Sequence, residues 1–290
     1  MSESSTFAAR RIVVVAGFLL AFALLFWPTF VWMAERFNTH DSFYSHGWLV
    51  PAASAWLIWQ RRERLLTTAR RPSGWGLALL VPSLLAHVIA TWLDLHVVSG
   101  LAMLGALWGL VWTCWGWRTL SCLRAPLLFL LFMVPLPSIL LIAISFKMKL
   151  MAAWMAAKLV SFVGIPVAQA GSTLHLPGGV AVVVDDTCSG LRSLISLLAL
   201  STLWTSLMPP DSARWKKWLL TASSMPIALV ANMVRIVSLV VLCAIYGPQV
   251  AAGFIHYGSG IVVFGVAILA LAWLSRVLTR VSPQLAASHG

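Results

Sequence analysis

Charge is what this sequence has least of. Asp, Glu, Lys and Arg make up 10% of its 290 residues, where a soluble domain carries about 25%. Hydrophobic residues reach 60%, with a mean hydropathy of +0.91. These values exclude a soluble domain. Repeated apolar runs near the ~20 residues that cross a bilayer define an all-α polytopic membrane protein instead. Metal-ligand spacing is also missing: there is no Cys-x-x-Cys pair and no His-Glu-x-x-His helix, so no metal and no cofactor are expected. Nucleic-acid-binding motifs are absent as well. The formal charge of +12 does not replace them, because the basic residues sit between the apolar runs rather than in one patch. That distribution reads as control of topology, and the 16 tryptophans fit interfacial belts.

What is present can be read in order. Met1–Arg11 is short and polar, like the n-region of a signal peptide, but Ile12–Ala34 is too long for an h-region and reads as a retained first span. Glu35–Gly47 is polar and aromatic and holds His40, Asp41, Tyr44 and His46. Trp48–Gln60 begins a second span that needs part of this segment for full length, and the basic loop Arg61–Arg71 follows. Spans three and four cover Gly74–Leu93 and Ser99–Trp117, and span five covers Ala125–Ser145, broken by Pro135 and Pro137. Phe146–Val163 carries Lys147, Lys149 and Lys158 and reads as an interfacial amphipathic helix with snorkelling lysines, a further full crossing being the alternative. The alternating valines, Gly and Pro of Gly164–Asp186 suggest a small extracytoplasmic hairpin or strands over the helices. Spans six to eight cover Ser189–Met208, Trp218–Tyr246 and Phe254–Leu274. The expectation is one integral membrane domain, residues 1–290, with about eight transmembrane helices.

The positive-inside rule orients this arrangement. With the N-terminus inside, 14 of the 20 basic residues fall on the cytoplasmic side, whereas only Arg36 and the three lysines of Phe146–Val163 lie outside. Both termini of this multi-pass protein are then cytoplasmic, and the polar stretch before span six lies on the outer side.

Chemistry concentrates in residues 182–260. Val182–Arg192 turns from a polar segment into an apolar helix with Cys188 at the joint, where the positive end of the helix dipole favours a thiolate. Asp186, Thr187 and Ser189 are types that cap exposed amides. Arg235 lies inside span seven, 11 residues before Tyr246, or about 16 Å along a helix. Such an arginine costs roughly 2.5–3.5 kcal/mol to insert, so it needs a partner or a wet cavity. Pro226 is a candidate kink in the same span. His256 opens span eight on the outer side. Arg192, four residues after Cys188, is expected on the same helix face and is a rival cation or a cavity-lining group. Each residue also has a structural reading: Arg235 bonded to carbonyls or an aspartate, Cys188 in a disulfide with Cys243, His256 a polar helix end. Cys114 and Cys122 read as inert, and His87 as a packed polar residue.

Three blocks now resemble one known family. Asp185-Asp186-Thr187-Cys188-Ser189-Gly190-Leu191-Arg192-Ser193, then Asn232-Met233-Val234-Arg235-Ile236, then His256-Tyr257-Gly258-Ser259-Gly260 are similar to the signature blocks of the exosortase/archaeosortase family. Gly171–Gly179 and Tyr44-Ser45-His46-Gly47 with Pro51 resemble its pattern too. The resemblance implies a bacterial inner-membrane enzyme that recognises C-terminal sorting signals of exported proteins. Such a signal is a short motif (Pro-Glu-Pro in many substrates), a transmembrane helix and a basic cluster. The partners implied are those substrates, the bilayer and a surface or exopolysaccharide acceptor, with no nucleic acid. The implied triad is Cys188, Arg235 and His256, with Arg192, Asn232 and His46 as candidate substrate-binding residues. The expected activity is cysteine peptidase or transpeptidase chemistry through a Cys188 thioester. A membrane acyltransferase, or a transporter or scaffold using Arg235 as a counter-ion, are the alternatives.

Overall fold

The computed structural model describes residues 17–39, 42–209, 212–247 and 254–280, the side chains at 187, 254–257 and 280 excepted. The N-terminal polar segment, His40 and Asp41 lie outside the described residues. The chain divides into two compact units, Met1–His40 with Gly47–Pro135 and Asp41–His46 with Leu136–Gly290.

The first unit holds α1 (Gly17–Leu25), α2 (Trp27–Asn38), α3 (Leu49–Gln60), α4 (Arg62–Thr67), α5 (Leu77–Trp92) and α6 (His96–Phe129). Helices α1 and α2 meet at 66°, beside Pro28 in the first turn of α2; proline has no N–H to continue a helical ladder. At this bend the Leu25 carbonyl accepts a hydrogen bond from His87 Nε2 at 3.0 Å. The other ring nitrogen meets Ser99 Oγ at 2.8 Å, and Ser99 bonds Thr29. Phe26 covers the imidazole, with ring centroids 4.2 Å apart. His87 is a packed polar residue that links three helices. Gly116 interrupts α6 with φ +82°, and any side chain there would meet the Arg71 carbonyl.

The second unit holds α7 (Ser138–Phe162), α8 (Leu191–Leu207), α9 (Arg214–Tyr246) and α10 (Phe254–Arg280). Between α7 and α8 lies an antiparallel sheet in the order β1 (Ala168–Ala170), β2 (Thr173–His175), β3 (Ala181–Val183). Gln169 pairs with Leu174, which pairs with Val182. The buried side of the sheet places Leu174 and Val182, with Leu176 and Val184 beside it, in one core with Ala152, Ala153, Ala156, Ala157 and Val160 of α7 and Met233, Ile236 and Val240 of α9. A second core joins Leu197, Leu220, Ala228, Ala267 and Leu271 of α8, α9 and α10.

Helical membrane architecture is as expected; the count of eight spans is not confirmed. Among the described residues five segments are long and apolar enough to cross a bilayer: Gly74–Trp92, His96–Met133, Ser138–Phe162, Arg214–Tyr246 and Gly258–Thr279. The bent pair α1–α2 makes six. Helix α3 has 12 residues and α8 has 17, so both fall short of the ~20 required. Span five and the interfacial helix give way to a different division. Pro135 and Pro137 end one helical run rather than breaking a span, and α7 then continues for 25 residues from Ser138 to Phe162. Its alanine face packs into the core, Lys149 is held by Asp186 at 3.0 Å, and the helix is long and apolar enough to be the full crossing held as the alternative.

Candidate active site

The stretch around Cys188 is held from three sides. Asp186–Cys188 forms one 3₁₀ turn, with Cys188 N–H donating to the Asp185 carbonyl at 2.9 Å. Gly190 then adopts φ +82°, and α8 starts at Leu191. This left-handed residue separates the turn from the helix, so Cys188 lies at the joint just ahead of α8. One expectation is corrected: Arg192 does not share a helix face with Cys188, because the i to i+4 relation needs unbroken helix. Ser189 Oγ accepts from Leu191 N–H at 3.4 Å and donates to the Asp186 carbonyl at 2.7 Å, stitching the break. The Asp186 carboxylate turns away from the amides and accepts from Ser145 Oγ at 3.2 Å and Lys149 Nζ at 3.0 Å, both on α7.

The third side is α9. Asn232 is buried and its Nδ2 donates to the Cys188 carbonyl at 2.9 Å. The same amide lies against Gly190, where an added Cβ would come within 2.8 Å of it. Asn232 thus fixes the turn before and after Ser189. Cys188 is 4% exposed, inside the core shared by α7, the sheet and α9. Cys243 belongs to that core, yet the described cysteines form no disulfide.

Arg235 sits three residues beyond Asn232, nearly one turn along α9. Its guanidinium lies beside Gly260 of α10, at which a Cβ would be 3.5 Å from Cζ. A cavity of about 30 Å³ is lined by Ser193, Asn232, Arg235, Gly260, Phe264 and Ala267 among others. That volume admits a water or one oxygen-sized group, not a side chain. Arg235 Nε is buried without a hydrogen-bond partner, and no described carboxylate pairs with its guanidinium. Position 256 is one turn before Gly260 on α10; the His256 side chain lies outside the described residues.

Residues 32–273 match the transmembrane exosortases. The chain belongs to that family. No curated protein and no solved structure matches it. The family match contains all three blocks around Cys188, Arg235 and His256 as well as Tyr44–Gly47.

In this exosortase-family membrane protein, His46 sits in a 3₁₀ turn before α3, away from the cavity at Arg235. Its Nδ1 meets Ser196 Oγ of α8 at 3.2 Å, its ring stacks on Tyr44 at 5.8 Å, and burial holds its imidazole below the ordinary histidine range. Tyr44 is itself buried, and its hydroxyl accepts from Leu136 N–H at 3.1 Å. The structure therefore groups Cys188 with Asn232, Arg235 with Gly260, and His46 with the α8 face that carries Ser196 and Arg192. The pairing of Lys149 and Ser145 with Asp186 escapes sequence reasoning. Lys149 and Ser145 are separated from Asp186 by 37 and 41 residues, and only the fold pairs them.

Proposed function

We propose that the protein is a membrane-embedded cysteine peptidase or transpeptidase. It would cleave C-terminal sorting signals of exported proteins at the periplasmic face of the inner membrane. The observation that carries this reading is the shared anchoring of nucleophile and cation on α9. Asn232 grips the Cys188 carbonyl, and less than a turn away Arg235, whose Nε is buried and unpartnered, lines a cavity of oxygen-atom size.

In this mechanism the Cys188 thiolate attacks the scissile carbonyl and forms a thioester. The tetrahedral oxyanion is stabilised by Arg235, whose planar guanidinium stays charged and donates from fixed positions. His256 protonates the leaving amine and then activates water or an incoming amine. Mutation of Cys188 to Ser or Ala is expected to leave an inserted, folded protein in which uncleaved substrate accumulates. Arg235→Lys replaces the planar fork by one compact ammonium. Loss of one oxyanion donor costs about 10²–10³ in rate, and a decline of that order in kcat is expected. The assay is cleavage of a reporter ending in motif, apolar helix and basic cluster, in membranes holding equal amounts of each variant. Wild-type cleavage by Cys188→Ala would overturn the cysteine mechanism.

A further inference from the structure

Arg192 is a second guanidinium in the same unit, and the mechanism does not use it. Its Nε and Nη2 are both buried without a hydrogen-bond partner. These two nitrogens form one side edge of the guanidinium, with parallel N–H bonds spaced to match the two oxygens of a carboxylate. One turn further along α8, Ser196 Oγ meets His46 Nδ1, and His46 Nε2 is likewise buried and unpartnered. Residues four apart are neighbours on a helix surface, so both polar groups serve one face of α8. The face that carries Ser193 and Leu197 turns instead to the cavity at Arg235.

Leaving buried charged donors unmet is costly, more so than for neutral groups. The one carboxylate seen in an ion pair with a described lysine, Asp186, is held by Lys149, and nothing among the described residues supplies an acceptor to Arg192 Nε or Nη2. We propose that Arg192 and His46 form a recognition site for a carboxylate carried by the substrate polypeptide, an acidic side chain docked side-on to Arg192. The inference rests on the peptidase reading and assigns that peptidase a specificity element separate from Arg235. It also separates the two arginines by role. Arg235 meets a charge that develops during reaction, while Arg192 meets one the substrate brings.

The test uses full-length protein reconstituted in liposomes. The probes are the sorting-signal reporter and versions of it in which each acidic residue preceding the apolar helix is neutralised in turn, Glu to Gln or Asp to Asn. Neutralising one such residue should raise KM about tenfold or more for the wild type, with kcat changed by no more than a few-fold. Arg192→Gln should show the same rise on the unaltered reporter and no further rise on the neutralised one. Arg192→Lys should fall between them, since it keeps the charge without the fork, and His46→Gln should raise KM more mildly. Additive losses from Arg192→Gln and the neutralised reporter would overturn the site, as would full indifference of KM to Arg192. A KM defect that appears in phosphatidylglycerol liposomes and vanishes in phosphatidylcholine would overturn it in favour of a lipid phosphate. Cys188→Ala runs alongside: cleavage by that variant defeats the peptidase reading itself, whereas a dead Cys188→Ala with an unaffected Arg192→Gln defeats only the carboxylate site.

Discussion

At the scale of single residues, the turn bearing Cys188 depends on two neighbours from different blocks of sequence. Gly190 occupies the left-handed region at φ +82°, where a Cβ costs about 1–2 kcal/mol. It is also pressed by Asn232, so an alanine there meets both strain and a clash. Gly190→Ala and Asn232→Ala are each expected to depress cleavage by about tenfold or more. The double variant should lose less than the sum, because removing the amide frees the space a new methyl needs. Purely additive losses would show that Asn232 does not control the turn. In the sequence, Gly190 and Asn232 were visible as members of motif blocks, and Asn232 was expected to contact substrate. Its actual bond to the Cys188 carbonyl spans 44 positions, a distance no local pattern reports. Of the candidate residues, Arg235 stands out in the sequence as a charge in an apolar run, whereas Cys188 and His256 enter through their places at helix starts and in the motif blocks.

At the scale of elements, the long apolar runs declared themselves and their divisions did not. Helix α7 shows why. Its buried face is mostly alanine and serine, from Ser145 through Ala152, Ala153, Ala156 and Ala157, so the apolar stripe is weak and the lysines dominate the pattern. The partner that explains Lys149 is an aspartate beyond the sheet. The short strands were anticipated from their valines, though as a hairpin or loose extended strands rather than three paired strands. The bend between α1 and α2 offers a direct check on how an element is held. His87→Leu removes the side-chain donor to the Leu25 carbonyl and the partner of Ser99. The expected loss is about 1–3 kcal/mol for buried groups left unmet. It would be read from denaturant unfolding in detergent, with cleavage per folded molecule kept near the wild-type value. An unchanged unfolding midpoint would mean the bend holds without the imidazole.

At the scale of the whole molecule, the proposed orientation rests on where the arginines fall. Basic residues gather at Arg61–Arg71 and Arg214–Lys217, which the positive-inside rule assigns to the cytoplasm. In a Cys114→Ser background, Ser172→Cys in the turn between β1 and β2 should react with a membrane-impermeant thiol reagent added from outside. Ser212→Cys should stay unlabelled until the membrane is opened. The reverse pattern would place Cys188 in the cytoplasm and end the sorting proposal. The same directional insertion sets a timetable for the bend at Phe26. Leu25 leaves the ribosome 62 residues ahead of His87, so the first bend is shaped early in synthesis and locked only when α5 arrives. During that interval its carbonyl lacks the imidazole, and α1 and α2 must wait where water can serve as the donor. The bond that holds the bend is therefore expected to form only after α5 is made, although α1 and α2 are made first. In His87→Leu that bond is never made, and the backbone amides around Phe26 are expected to exchange their hydrogens faster than in the wild type.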